Sequence, residues 1–162
     1  FGLQRQVTSI REALVLLGVA QIRKWASVWV MAGLSGGESA GAVSLALVRA
    51  RCCEIAGEIV KDQDTSGFFL LGLCSLLDVL LRRSMADALR DMPLPTTIRD
   101  ALLGKANSAR TTLDMIVSYE RGDWDGAAHA AAHLGLSDGS LPRIYTEALR
   151  WARELSQDAQ AA

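Results

Sequence analysis

The chain has 162 residues, a length that fits one domain whose single core buries well over half of the surface exposed by the unfolded chain. Half of the residues are hydrophobic, 6% are aromatic and three are proline, a mixture that favours helices. The formal net charge is −1 and the 17 basic residues are spread out, so no Lys/Arg cluster marks a nucleic-acid surface. The apolar run from Phe68 to Leu77 is shorter than the roughly 18 residues of a membrane span and is closed by Asp78.

In chain order, Ser9 and Glu12 have capping-box spacing and Gly18 is a candidate C′ residue. Between them Ile10, Ala13, Leu14 and Leu17 share a face, which predicts a first helix. A second helix is expected from about Val19 to Ala32, with Ile22, Ala26 and Trp29 on one side. After the "SGGES" loop, a long helix is predicted from Glu38 to about Lys61. Its apolar face is Gly41, Leu45, Val48, Cys52, Ile55 and Ile59, with Arg51, Glu54, Glu58 and Lys61 roughly opposite, so it reads as a one-sided core helix. "DQDTSG" at 62 to 67 is a turn, and "SGFFLLGLCSLLDVLL" at 66 to 81 reads as the next helix.

Beyond Arg82 the elements shorten. Ser84 caps "MADALRDM", "PLP" interrupts at 93 to 95, and "TTIRDALLG" stops at Gly104. A longer helix carries Ala109, Leu113, Ile116 and Val117 on one face, followed by "YERGDW" and a small Ala-rich helix from Asp125 to Leu134. In the last helix Leu141, Ile144, Tyr145, Ala148, Ala152 and Leu155 keep helical spacing. Arg143, Glu147, Arg150 and Glu154 are expected to pair with one another in solvent at i,i+3 and i,i+4 spacing. No stretch alternates as a strand would, and no long repeat occurs. The expectation is an all-α, single globular multi-helix domain without β-sheet.

Residues capable of chemistry are few. His129 and His133 lie four apart, so they share a helix face and are candidate metal ligands, but no third ligand sits at a motif spacing. Helix-surface histidines are the simpler reading. Cys74 and Ser75 lie in an apolar helix with no neighbouring base, and "GLSGG" at 33 to 37 lacks the Lys of a phosphate loop. Cys52, Cys53 and Cys74 form neither a metal motif nor a disulfide framework, which fits reduced thiols in a cytoplasmic protein. The chain opens at Phe1 without a leader or an initiator Met and is expected to be part of something longer. Trp25, Trp29 and Met31 belong to a segment too apolar to face water, and are candidate interaction residues as well as candidate core.

Four motifs, "VTSIREALVLLGVAQIRKWA" at 7 to 26, "FFLLGLCSLLDVLL" at 68 to 81, "ALRDMPLPTTIRDALLG" at 88 to 104 and "YERGDWDGAA" at 119 to 128, follow one another in an order that resembles the HDOD domain. This HD-related output domain is here similar to the form found C-terminal to an EAL domain in bacterial signalling proteins. The resemblance implies an HD-superfamily-like helical bundle spanning residues 1–162, with the family's first helices missing ahead of the "SIREAL" motif. HD phosphohydrolases carry a helix resembling "GLLHDIGK", whose His-Asp pair binds catalytic metal. Matching Gly72-Leu73-Cys74 to its start puts Ser75 at the His position and Leu76 at the Asp position. Neither can replace its counterpart, so no catalytic residue, metal or cofactor is expected.

The function so implied is a non-catalytic output and protein-interaction module of a bacterial signal-transduction protein. It would regulate or dimerise a linked EAL domain, the cyclic di-GMP phosphodiesterase, with a second copy as a further partner and with neither nucleic acid nor a membrane span involved. The alternatives are a divergent metal-dependent phosphohydrolase using His129 and His133, and a nucleotide-binding helical domain with a vestigial pocket near Ser75.

Overall fold

Among the described residues the Ala- and Leu-rich composition resolves into helices alone. The computed structural model describes residues 40–60, 65–92, 94–137 and 139–161. Among these described residues there are eight helices and no strand, packed as one bundle: α1 (Ala40–Val60), α2 (Thr65–Cys74), α3 (Leu77–Leu81), α4 (Met85–Ala88), α5 (Thr96–Leu102), α6 (Ser108–Glu120), α7 (Trp124–His133) and α8 (Ser140–Ala161). The two helices expected before residue 33 lie outside the described residues, and with them Trp25, Trp29 and Met31.

α1 is the axis of the bundle and touches α2, α6 and α8. The sequence reads it as one-sided; the structure buries it nearly all round. Ala46, Ala50, Cys53 and Ala56 are as inaccessible as Cys52, and Glu54 is also buried, whereas Gly41 and Ile59 of the supposed core face are exposed. Small residues make this possible. A Cβ on Gly72 would lie 2.3 Å from the Arg49 carbonyl carbon, and a Cβ on Gly57 would lie 3.0 Å from the Phe68 ring. These two contacts run α2 antiparallel to α1 at a separation that larger side chains would prevent. The periodicity fails to show this second face because Ala, Gly and Cys signal only weakly in a hydrophobic pattern while packing as well as Leu when helices are close.

Local chemistry sets the other boundaries. The Ser84 hydroxyl accepts a hydrogen bond from the Asp87 amide at 3.1 Å, as its capping position predicts. Asn107 caps α6 in the same way, accepting from the Arg110 amide at 2.8 Å, and its side-chain amide donates to the Thr97 carbonyl at 2.9 Å, fastening α5 to α6. Gly104 and Gly122 follow α5 and α6 with φ of +87° and +74°, a conformation that costs glycine little. Phe69 of α2 meets Trp151 of α8 edge to face with ring centroids 6.1 Å apart, closing the core.

Candidate functional site

The segment 66–81 is not one helix. α2 ends at Cys74 and α3 starts at Leu77, so Ser75 and Leu76 form the break itself. The Ser75 amide donates to the Gly72 carbonyl at 3.2 Å, and its hydroxyl donates to the same oxygen at 2.7 Å. That pair of hydrogen bonds to the i−3 carbonyl ends α2 by competing with the regular i−4 ladder. Leu76, with φ −122° and ψ 17°, leaves helical geometry before α3 resumes.

The Ser75 hydroxyl also accepts a hydrogen bond from a guanidinium. Arg49 Nη1 of α1 lies 3.3 Å from Ser75 Oγ. The rest of the guanidinium is engaged by Glu120, the last residue of α6: Nε donates to Oε1 at 3.1 Å and to Oε2 at 2.9 Å, and Nη2 donates to Oε2 at 2.6 Å. The Arg49 and Glu120 side chains are 11% and 10% exposed, so this fork-shaped pair is nearly out of water. Residues of α1, of the break after α2 and of α6 thus meet on one cation. Gly72 permits the meeting, since its missing side chain lets the end of α2 rest on the backbone of Arg49.

An aromatic cluster adjoins the pair. Tyr119 meets Trp124 at 5.2 Å, edge to face, and Tyr145 of α8 at 5.2 Å in a tilted arrangement. Burial, and next the Glu120 carboxylate, push the Tyr145 phenol above its ordinary 10.0, so the hydroxyl stays protonated. Trp124 is 63% exposed and is the part of this cluster that reaches solvent. All three cysteines are buried and unbridged. Burial raises Cys74 to about 12; burial with help from Glu120 raises Cys52 to about 12; burial and then Cys52 push Cys53 well above 9.0. Thiols held protonated in this way are poor nucleophiles.

His129 and His133 sit on the exposed side of α7, their rings in edge contact with centroids 5.0 Å apart. No group of three or more His, Cys, Asp or Glu able to hold a metal occurs among the described residues. At Ser75 the donor chemistry also fits a divalent metal poorly, because the carboxylate there, Glu120, is paired with a guanidinium whose fixed positive charge would repel a second cation. Arg49 and Glu120 are the residues that sequence reasoning missed. The signals were an arginine inside the apolar "LALVRARC" and the Glu of "YERGDW", but nothing joins two positions 71 residues apart until the chain folds.

The fold and this site define a helical domain in which a buried guanidinium clamp stands at a broken helix. Over 156 residues the chain is 28% identical to the uncharacterized protein YuxH of Bacillus subtilis, covering 94% of this chain and 38% of the relative. Over 152 residues it is 28% identical to the cyclic di-GMP phosphodiesterase CdgJ of Vibrio cholerae, covering 93% of this chain and 35% of the relative. The chain therefore spans little more than a third of the length of these curated relatives. No family model matches it, and no solved structure matches it significantly. No helix of the described residues is long and apolar enough to cross a membrane.

Proposed function

We propose that the chain is an HDOD-like, non-catalytic output module of a bacterial signalling protein, and that it regulates a linked EAL domain responsible for cyclic di-GMP hydrolysis. The observation that carries the reading is the chemistry at Ser75. The two positions that resemble a His-Asp metal pair hold a serine and a leucine in a helix break, with the serine hydroxyl engaged by Arg49 and Glu120 taken up by the same guanidinium. A Lewis-acid site needs ligands with free lone pairs, and here the cation is supplied by the protein itself. CdgJ lends the signalling context, being a cyclic di-GMP phosphodiesterase of which only about a third aligns with this chain. Such a module acts by packing differently against its neighbour in two states, so that the neighbour's activity follows the difference in packing free energy.

The test separates module from enzyme. The chain alone, assayed with magnesium or manganese, is expected not to hydrolyse cyclic di-GMP, whereas its deletion from the longer protein is expected to change the rate of hydrolysis there. Two results would sink the proposal: a tightly bound stoichiometric divalent metal lost on His129→Ala, or an unaltered rate after the deletion. The contact between the His129 and His133 rings is the one observation favouring the phosphohydrolase alternative, and the metal measurement addresses it directly.

A further inference from the structure

The charges on the outer face of α8 do not do what their spacing predicts. Arg143, Glu147, Arg150 and Glu154 lie within an arc of about 60° on the helical wheel and offer three possible intrahelical pairs. None of these pairs forms. Glu147 turns instead to Arg51 of α1, at 2.7 Å, and keeps 53% of its side chain exposed. Arg143, Arg150 and Glu154 are exposed and have no ionic partner among the described residues. The stripe flanks a groove of about 750 Å³ whose apolar floor includes Ile55 and Ile59 of α1, and Ile59 is 47% exposed.

The order of the charges carries a symmetry. Arg143 and Glu154, and likewise Glu147 and Arg150, are centred on one point between Ala148 and Leu149. Turning a second α8 antiparallel about a two-fold axis through that point sets Arg143 of each copy opposite Glu154 of the other, and Glu147 opposite Arg150. All four contacts then join opposite charges. An isologous interface requires self-complementarity of this kind, in which one patch presents both halves of every contact. We propose that α8 is a homodimerisation face: a second copy of this chain docks antiparallel along it, with the charge ladder setting register and the isoleucine-floored groove supplying apolar burial.

Ion pairs that remain partly in water are weak, so the dimer is expected to be weak and to loosen as salt rises. Its specificity lies in the register, because a shift of one helical turn sets like charges against each other along part of the ladder. The inference rests on the reading of the chain as an interaction module and adds its face. It does not depend on the EAL partner, so its failure would leave the hydrolysis test above untouched.

Charge reversal at the outer rung decides the matter. Arg143 and Glu154 are about 16 Å apart along their own helix, so they cannot compensate one another within one molecule. Sedimentation equilibrium of the 162-residue chain in low salt is expected to show a monomer–dimer equilibrium. Arg143→Glu and Glu154→Arg each turn two attractive contacts into repulsive ones and are expected to raise the dimer Kd about ten-fold or more, while the double variant R143E/E154R returns it to near the wild-type value. Three results would each overturn the proposal: a wild-type chain that stays monomeric up to about 1 mM, single reversals that leave Kd unchanged, or a double variant no tighter than the singles.

Discussion

Replacing Glu120 by alanine removes the acceptor of three hydrogen bonds from Arg49 and leaves a guanidinium that is 11% exposed without its counter-charge. A charged hydrogen bond contributes about 1.5–3 kcal/mol, and the three here share one carboxylate, so they do not add in full. Breaking a buried pair from one side typically costs about 3–5 kcal/mol, and the residual exposure lets Arg49 recover some hydration. The expected loss is therefore about 3 kcal/mol, which for a chain of this size lowers Tm by roughly 6–12 °C. Arg49→Met combined with Glu120→Leu removes both charges and keeps apolar volume, and is expected to cost less than Glu120→Ala alone. Urea unfolding of the variants, with the m-value checked for constancy, measures each term and their coupling. If Glu120→Ala costs under about 1 kcal/mol, or the paired replacement costs the sum of its two single replacements, the clamp is not a buried electrostatic unit.

Gly72→Ala drives a Cβ to 2.3 Å from the Arg49 backbone and is expected to cost more than about 3 kcal/mol or to prevent soluble expression; an unchanged Tm would mean that α1 and α2 are not in close contact there. Asn107→Ala loses both the cap of α6 and the bond to Thr97, and is expected to lower stability by about 1–2 kcal/mol in urea unfolding. Burial raises Cys52 and Cys74 from 9.0 to about 12, so between those values the unfolded chain loses thiol protons that the folded chain keeps. Folding stability is expected to fall as pH rises through this window and to be insensitive to these groups below it, as pH-dependent urea unfolding would show. In keeping with this, a thiol reagent at neutral pH is expected to label Cys52, Cys53 and Cys74 only after denaturation, and rapid labelling of the native chain would contradict their burial.

Much of the helix inventory was legible because it depends on neighbours in sequence. Ser84 and Asp87 are three residues apart, Gly104 and Gly122 stand where helices stop, and the core face of α8 repeats at helical spacing. The candidate site was half legible. Ser75 and Leu76 stand out in the sequence only through the resemblance to an HD helix, and nothing local announced that they break the helix, since the hydrophobic pattern runs on to Leu77 before Asp78 closes it. That break depends on a hydroxyl bond back to Gly72 and on Arg49 arriving from another helix.

Local sequence thus specified helices among the described residues, with their caps and stops, and thiols suited to burial. Tertiary structure decided which charges meet. At i,i+3 spacing Arg51 pairs with Glu54 within α1, whereas Glu147 turned from Arg150 at the same spacing, and from Arg143 at i,i+4, toward Arg51 on another helix. Side-chain pairing is settled by the few ångströms between charges and by how much water is displaced, and both are properties of the packed bundle. A helical period specifies which residues share a face; only packing specifies what that face touches.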